Sequence, residues 1–392
     1  MEHTTASSTL PRVVPGTAAG LIASIDPELT YLLPNRFDGD IFSSFVDGTK
    51  TADSTINDIL SSARDKPFIS FDDHFLSLLG SSPKIELIDE REENFAGEAG
   101  VWIRERNEVW YTTWIVDGPT HVEILDLPSR TVRKLQPSQP LENPNGGYFH
   151  DGLVYFTCVR DDSRGWPGGV VSVEPNTGHV ETVLNSYFGL KFDTIDDLCW
   201  VTKAGTNESY MFITVLPFPH PVSNNNITVP QGLWRWDPRQ KLLLPATSRT
   251  EFPVANGVRP SRDHRSLWVT DFGGEERSRI WGLPAKLGAP AVYRYDLDED
   301  MWPVRKRIFS VARMQAPDGI RLDDRGRVWT AEGEGVVVRS AEGRVLGIFN
   351  AHFFTRDPVK TAIVQFELAG KTLVILGQNR LWTIELNEQL VQ

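Results

Sequence analysis

Oxygen-bearing side chains recur at one position of a repeated sequence pattern, where each unit begins. They are Glu98, Asn145, Asp196, Asp197, Asn256 and Asp318. A fold that gathers these starts around one axis would form a ring of carboxylate and amide oxygens. Such oxygens are the ligands of hard cations, with about six to eight around Ca²⁺ and about six around Mg²⁺ or Mn²⁺. The residue types therefore predict a site for a divalent cation.

An ordinary structural explanation competes with this one. Asn256-Gly257 and Asp318-Gly319 are common turn dipeptides, and Glu98 taken alone would be a solvated residue. Turn chemistry does not require Glu98 to share the phase of the other residues in the repeat. The common phase therefore favours a site.

The predicted chemistry follows from the charges. A cation bound by Glu98, Asn256 and Asp318, with Asp196 as the fourth ligand, would polarise an ester or lactone carbonyl and stabilise the developing oxyanion. Water would attack this carbonyl, and Asp318 or Asp197 would remove its proton. We expect the bound molecule to contact a further set of residues near the channel. These candidates are Asn145, His150 and His352.

The elements that position these residues form a repeat. Six aromatic-rich core strands follow one another at spacings of roughly 45 to 61 residues. They are EVWYTTW (108–114), LVYFTCV (153–159), YMFITVL (210–216), SLWVTDF (266–272), RVWTAE (327–332) and TLVILG (372–377). Each follows an innermost segment that carries the polar residue, and hairpin-forming strands come after it. The repeat predicts an all-β fold, a six-bladed β-propeller, because a single β-sandwich does not account for six matching units.

The N-terminal part differs in composition from the repeat. Residues 1–65 are rich in Ser, Thr, Pro and Asp, which predicts a partly irregular extension, and residues 66–392 form the predicted propeller. Within the second part, PFISFDDHFLSLLG and KIELIDE precede the first repeat. We expect a strand from this segment to close the ring against the last blade.

Composition narrows the function classes. The net charge of −12 opposes binding to phosphate backbones and anionic lipid, so we expect neither a nucleic-acid nor a membrane partner. Only two cysteines occur, and no signal peptide or apolar run of membrane-spanning length is evident, so we expect a cytoplasmic protein. The partner that remains is a small-molecule substrate. The sequence does not define an oligomeric state.

From about residue 66 onward, the chain resembles the senescence-marker-protein/gluconolactonase/luciferin-regenerating-enzyme family, and in particular its fungal lactonohydrolase branch. The resemblance rests on FAGEAGVWI, TVLNSYFGLKFDTIDDL, VANGVRPSRDHRSLWVTDFG, APDGIRLDDRGRVWTAEGEGVVVRSAEGRVLGIF and FELAGKTLVILG. It implies a six-bladed propeller with one catalytic divalent metal, Ca²⁺ first, with Zn²⁺, Mg²⁺ and Mn²⁺ as alternatives. It also implies metal-binding roles for Glu98, Asn256 and Asp318, and a substrate contact for Asn145.

The chain departs from the family pattern at three places. The fungal branch typically reads Ser-Pro-Asn-Asp where this chain has Thr-Ile-Asp-Asp at 194–197, so a carboxylate replaces an amide at Asp196. The aspartate of the next motif is missing around Val215, and Gly97 stands where a histidine is usual. These departures bear on the reaction more than on the metal site.

Three functions are therefore predicted. The first is a metal-dependent hydrolase that opens a lactone or related ester of a small molecule, that is, a lactonase. Its expected setting is fungal-type secondary metabolism. The second is a cyclase or isomerase of a natural-product pathway on the same propeller. The third is a propeller that binds a partner without catalysis.

Overall fold

Antiparallel sheets stand as six blades around a central channel, as the repeat predicts. The computed structural model describes residues 13–14, 18–34, 36–40, 42–114, 118–192, 194–216, 229–248, 250–273, 290–358 and 361–390. The all-β, six-bladed propeller is confirmed. Each core strand predicted from the sequence is the second strand of a blade, and each innermost segment supplies the first.

Short elements precede the first blade. In chain order they are β1 (Val13–Val14), α1 (Ala18–Leu21), β2 (Ile22–Ser24), a 3-10 helix (Pro27–Thr30), β3 (Phe37–Asp38), α2 (Phe45–Gly48), β4 (Lys50–Thr51), α3 (Ser54–Ala63), β5 (Phe68–Ser70), α4 (Asp73–Leu79) and β6 (Lys84–Glu90). Asp53 and Asp72 cap α3 and α4, since each side chain accepts hydrogen bonds from main-chain N–H groups of the first turn.

Blades 1 to 4 are four-stranded sheets whose strands follow in sequence from the channel outward. Blade 1 contains β7 (Glu98–Ile103), β8 (Glu108–Thr112), β9 (Val122–Asp126) and β10 (Thr131–Lys134). Blade 2 contains β11 (Pro144–His150), β12 (Leu153–Cys158), β13 (Gly169–Val173) and β14 (Val180–Leu184). Blade 3 contains β15 (Thr194–Thr202), β16 (Ser209–Leu216), β17 (Gly232–Asp237) and β18 (Leu242–Pro245). Blade 4 contains β19 (Ala255–Pro260), β20 (Ser266–Asp271), β21 (Ala291–Leu297) and β22 (Pro303–Val311).

Strands from the N-terminal part pair with the sheets of blades 5 and 6. Blade 5 contains β23 (Ile320–Leu322), β24 (Val328–Glu332), β25 (Gly335–Arg339) and β26 (Val345–Asn350), and β5 and β2 extend it beyond β26. After α5 (Ala351–Phe354), blade 6 contains β27 (Gln365–Ala369), β28 (Thr372–Leu376) and β29 (Arg380–Glu385). Strand β6 pairs antiparallel with β29 and is the fourth strand of blade 6, and β1 pairs with β6. The domain limit at residue 65 stays a prediction, since residues on both sides of it join blade sheets.

Burial follows the position of a strand within its blade. The second strands β8, β20 and β24 are buried at every residue, because each lies between two strands and packs on both faces against other blades. Their β-branched and aromatic residues suit this setting. The outer strand β22 has no buried residue. Cys158 and Cys199 are buried and form no disulfide. No helix in the described part of the chain is long and apolar enough to span a membrane.

Candidate active site at the channel mouth

One polar residue from each blade lies at the start of the innermost strand, where the channel opens. We call these six residues the mouth cluster: Glu98, Asn145, Asp196, Asn256, Asp318 and Gln365. Five were predicted from the sequence, and Gln365 was not. All are buried except Asp196, which is partly exposed. The ring of oxygen-bearing side chains therefore has one member in every blade.

Irregular pairing sets the mouth cluster apart from the rest of the inner strands. The ladders of blades 1 to 4 shift register at this level, between Glu98 and Val101 in β7 and at the equivalent places in β11, β15 and β19. In blade 1, Ala99 and Gly100 have φ of 67° and 64°. A β-bulge leaves residues without a partner in the ladder and redirects their side chains. Because of the bulges, the side chains of these cluster residues do not follow the regular alternation between the two faces of the sheet.

Glycines beside three cluster residues allow the blades to approach closely. A Cβ atom on Gly146 would lie 2.2 Å from the carbonyl oxygen of Asp196, and one on Gly257 would lie 2.4 Å from that of Asp318. A Cβ on Gly319 would lie 2.1 Å from Gln365 Oε1. None of the three glycines has a positive φ. Close packing around the axis, rather than turn geometry, therefore explains these Asn-Gly and Asp-Gly pairs.

Two carboxylates of the cluster, Glu98 and Asp196, have raised pKa values. Burial raises the pKa of Glu98 well above its ordinary value, and the neighbouring charges of Asp318, Asp196 and Asp197 raise it further. Burial, followed by the charges of Asp318 and Asp197, also raises the pKa of Asp196. Neither Glu98 nor Asp196 forms a salt bridge with any residue that the structure describes. Their hydrogen bonds come from amides: Gln365 Nε2 lies 3.5 Å from Glu98 Oε2, and Asn145 Nδ2 lies 3.2 Å from Asp196 Oδ1.

The oxygen atoms of the mouth cluster are of the types that bind a divalent cation. Asn256 Oδ1 is buried and accepts no hydrogen bond from any residue that the structure describes, an arrangement that costs about 1–3 kcal/mol unless a ligand binds there. The remaining donors are carboxylate and amide oxygens, as Ca²⁺ and Mg²⁺ prefer. Among the described residues, no three His, Cys, Asp or Glu side chains stand in a coordinating arrangement. The amide oxygens would therefore have to contribute to the coordination.

A second layer of charge lies deeper along the same strands. Arg259 Nη1 lies 2.6 Å from Asp197 Oδ2, and both side chains are almost fully buried. Asp197 Oδ1 accepts the N–H of Leu198 at 2.8 Å, so both carboxylate oxygens have donors. Arg259 Nη2 also donates to the carbonyl oxygen of Gly147, at 3.1 Å, and so ties blade 4 to blades 3 and 2. Asp197 thus faces an arginine, whereas its neighbour Asp196 faces the mouth.

A second arginine makes the equivalent connection across the other blades. Arg321 donates to Glu367 Oε2 at 3.0 Å and to the carbonyl oxygens of Ala99 and Gly100 at 3.0 and 2.7 Å. It thereby ties blade 5 to blades 6 and 1. We call these four residues the arginine layer: Asp197, Arg259, Arg321 and Glu367. Together the two arginines connect all six inner strands.

A cavity of about 310 Å³ opens on the far side of the arginine layer. Arg259, Arg321 and Glu367 line it together with Trp102 and Tyr148. Among the described residues, no member of the mouth cluster lines this cavity. This cavity therefore does not open onto the mouth cluster.

The two predicted histidines lie away from the cluster. His150 ends β11, and its ring stacks on Trp200 with centroids 4.8 Å apart. His352 lies in α5, with Nε2 3.1 Å from Ser44 Oγ in the N-terminal part. Burial lowers the pKa of both imidazoles. Their contact with substrate stays a prediction, as does that of Asn145, which does lie in the cluster.

Gln365 and three residues of the arginine layer, Arg259, Arg321 and Glu367, are the site residues that sequence reasoning missed. Gln365 occurs in the innermost segment TAIVQFELAG at the phase of the other five residues, so the repeat itself carried the signal. Asn256-Gly-Val-Arg259 and Asp318-Gly-Ile-Arg321 share one spacing, which marks the two arginines as a repeated feature.

Comparisons with known proteins agree with the six-bladed propeller fold. No protein-family model matches the chain. Lactonohydrolase oryL from Aspergillus oryzae is 25% identical over 287 residues, which cover 69% of this chain and 64% of that protein. The chain thus spans less than two thirds of this relative. Among solved structures, a gluconolactonase from Xanthomonas campestris aligns over 82% of this chain and 95% of its own, with 17% identity and a TM-score of 0.62.

A third comparison concerns a metal-binding relative. The calcium-binding protein regucalcin from Agrobacterium tumefaciens aligns over 77% of this chain and 94% of its own, with 14% identity and a TM-score of 0.50. The structural likenesses establish the propeller fold. With the sequence likeness, they confirm the resemblance read from the motifs: the chain is similar in sequence to fungal lactonohydrolases and in fold to gluconolactonases and a luciferin-regenerating enzyme.

Proposed function

We propose that the protein is a metal-dependent hydrolase that opens the lactone, or a related ester, of a small molecule. The observation that carries the proposal is the buried, unpartnered Oδ1 of Asn256 in a ring whose carboxylates Glu98 and Asp196 lack a counter-charge. A bound cation would relieve both deficits. The likeness to lactonohydrolase oryL supports the reaction class, and secondary metabolism is the setting we propose from it.

Glu98, Asn256, Asp318 and Asp196 would hold the ion, and Ca²⁺ is the first candidate because every donor is a hard oxygen. When bound, a divalent cation polarises a carbonyl oxygen and stabilises the negative charge that develops there. Asn145 would orient the substrate, since its amide already reaches into the ring to Asp196.

A carboxylate of the protein would remove the proton from the attacking water. Asp197, a base candidate from the sequence, is engaged by Arg259, and Asp318, the other candidate, is buried, whereas Asp196 is partly exposed. We therefore assign proton removal to Asp196, the most exposed carboxylate of the ring. As the oxygen of water bonds to the carbonyl carbon, Asp196 takes a proton from that water. The ring C–O bond then breaks, and the proton passes to the departing alkoxide oxygen, which gives a hydroxy acid.

The first experiment tests binding and activity together. Purified protein treated with a chelator is titrated with Ca²⁺ by calorimetry, and lactone opening is assayed on a panel of aliphatic and aromatic lactones. Glu98→Gln and Asp318→Asn are expected to lower kcat/KM roughly 10³-fold, because each removes a charged oxygen from the ring. Glu142→Gln removes a carboxylate in the loop before blade 2, outside the cluster, and is expected to be neutral. Full activity in both cluster variants would refute the proposal.

The second experiment separates the ligand role of Asp196 from its role as base. Asp196→Asn restores the amide typical of the fungal branch, so Ca²⁺ affinity is expected to stay within about tenfold. The kcat is expected to fall about 10²-fold because the proton acceptor is gone. Unchanged kcat would assign the base elsewhere.

Isotope labelling distinguishes hydrolysis from the cyclase or isomerase alternative. Hydrolysis in ¹⁸O-labelled water places one labelled oxygen in the carboxylic acid product. A product formed without label would favour cyclisation or isomerisation. A protein that binds no cation and converts no lactone would favour the non-catalytic propeller.

A further inference from the structure

A buried threonine recurs in the second strand of five blades. The residues share full burial, with 0% exposure, and they are Thr112, Thr157, Thr214, Thr270 and Thr330. Thr157, Thr214 and Thr270 lie opposite the bulges of their inner strands, whereas Thr112 pairs with Glu98 and Thr330 pairs with Ile320 at the start of β23. A hydroxyl at this depth must find a partner within the protein.

Three of these hydroxyls donate to the next blade. Thr112 Oγ1 lies 3.0 Å from the carbonyl oxygen of Asn145, and Thr157 Oγ1 lies 2.7 Å from that of Asp196. Thr270 Oγ1 lies 2.8 Å from the carbonyl oxygen of Asp318. In every case the acceptor belongs to the mouth cluster. The bonds therefore run from the core of one blade to the site residue of its neighbour.

The acceptor residues lie outside the regular pairing of their inner strands, although Asp318 donates its N–H to Ala331 of its own blade. Asn145 and Asp196 lie within bulges that have no ladder partner, and Asp318 precedes β23. On the facing blade, Gly146 and Gly257 leave room for the carbonyls of Asp196 and Asp318. A threonine and a glycine of one blade together hold the main chain of a site residue in the next.

The other two threonines bond within their own blades. Thr330 Oγ1 donates to Glu332 Oε1 at 2.6 Å, and Arg339 donates to Thr330 at 2.8 Å. Thr214 accepts the N–H of Asp197 at 3.0 Å. Thr330 thus has the same residue type, burial and strand position, but it does not hold a site residue. It serves as a matched control.

We infer that Thr112, Thr157 and Thr270 are positioning residues: by holding the main chain of Asn145, Asp196 and Asp318 across the blade interface, they fix the geometry of the cation site. This inference rests on the proposed function only for the identity of the ligand. The hydrogen bonds are present whatever the site binds.

The test compares Thr270→Val with Thr330→Val in the full-length protein. The valine variants keep the side-chain shape and lose one hydroxyl. Ca²⁺ affinity, measured by calorimetry, is expected to fall about tenfold in Thr270→Val and to stay within about twofold in Thr330→Val. Thr270→Ser restores the donor and is expected to recover the affinity of the parent protein. Equal affinity in Thr270→Val and the parent, or equal losses in both valine variants, would overturn the inference.

A second measurement keeps the inference testable if the protein binds no Ca²⁺. The N–H of Asp318 donates to Ala331 and that of Gly319 donates to Val364, so hydrogen exchange at these two amides reports on the clamped main chain. In the cation-free protein we expect exchange about tenfold faster in Thr270→Val and unchanged in Thr330→Val. Failure of Ca²⁺ to bind the parent protein would refute the proposed function alone. Unchanged exchange in Thr270→Val would refute the clamp alone.

Discussion

Two rings of charge lie one above the other in the channel, and they are built on opposite principles. In the arginine layer, Asp197 pairs with Arg259 and Glu367 pairs with Arg321. In the mouth cluster, Glu98 and Asp196 have only amide donors. In blade 3 the two rings contain consecutive residues: Asp196 belongs to the mouth cluster, and Asp197 belongs to the arginine layer. Burial of charge alone therefore does not mark the candidate site here, whereas two buried acids without a salt bridge in one ring of oxygen-bearing side chains do.

The two layers also differ in what they hold together. Arg259 bonds to the inner strands of blades 2 and 3, and Arg321 bonds to those of blades 1 and 6, through carbonyl oxygens and the carboxylates of Asp197 and Glu367. In the mouth cluster, threonines of neighbouring blades donate to the main-chain carbonyls of Asn145, Asp196 and Asp318. The deeper layer therefore assembles the ring, and the upper layer is available for a ligand.

The largest expected effect comes from breaking the compensated layer. Arg259→Met leaves Asp197 buried without its partner and is expected to lower the free energy of unfolding by about 3–5 kcal/mol. Urea denaturation of the chelator-treated protein measures this. The double variant Asp197→Asn/Arg259→Met is expected to recover most of the loss. Lys84→Met breaks an exposed pair with Glu385 and should cost less than about 1 kcal/mol. If Arg259→Met costs no more than Lys84→Met, the arginine layer does not stabilise the ring.

Asp271 extends the comparison to a residue outside the mouth cluster. It is buried and forms no salt bridge with a described residue. Its Oδ1 accepts the N–H groups of Val254 and Gly273, its Oδ2 has no hydrogen-bond partner, and burial raises its pKa to about 7. The folded protein therefore binds a proton that the unfolded chain releases above pH 3.8, so stability falls as pH rises from about 4 to 7.

Relative to wild type, Asp271→Asn should remove this fall. The difference between the two proteins is expected to grow by up to about 4 kcal/mol between pH 4 and pH 8, in favour of the variant at the higher pH. Denaturation at four pH values checks this. Parallel pH profiles would show that Asp271 does not titrate in this range.

Glu98→Gln tests the uncompensated layer directly, and the sign is opposite to that of Arg259→Met. Removal of one buried, repelled carboxylate should raise the stability of the chelator-treated protein by about 1–2 kcal/mol. The same change should abolish the stabilisation that added Ca²⁺ gives the parent protein. Thermal unfolding with and without Ca²⁺ measures both effects. A destabilised variant in chelator would contradict the contrast between the layers.

The sequence predicts the upper layer better than the lower for a physical reason. A repeat fixes the phase of each inner strand, so the amino-acid sequence alone is enough to place Glu98, Asn145 and Asp318 together. It does not fix which of the adjacent aspartates 196 and 197 faces the mouth, because that depends on a bulge. Arg259 reaches two blades away, and no local pattern reports such a contact.

Gln365 shows the limit of residue type as a signal. A glutamine is neither a turn former nor a preferred metal ligand, so its shared phase went unused. The repeat fixed its position nonetheless, and the structure places its amide against Glu98. Position in the repeat was therefore the stronger guide to the site than residue chemistry.

Gln365→Leu gives the smallest expected effect and tests whether the sixth blade contributes to the site. Loss of the amide beside Glu98 should weaken Ca²⁺ binding about fivefold, with less than about 1 kcal/mol of lost stability, since leucine fills a similar volume. Gln378→Leu is the control: this glutamine is also buried, but its amide donates to the carbonyl of Ala362, away from the cluster. We expect its Ca²⁺ affinity to match that of the parent protein. Equal affinities in the two variants would mean that the ring acts through five blades and that Gln365 serves only to pack against Gly319.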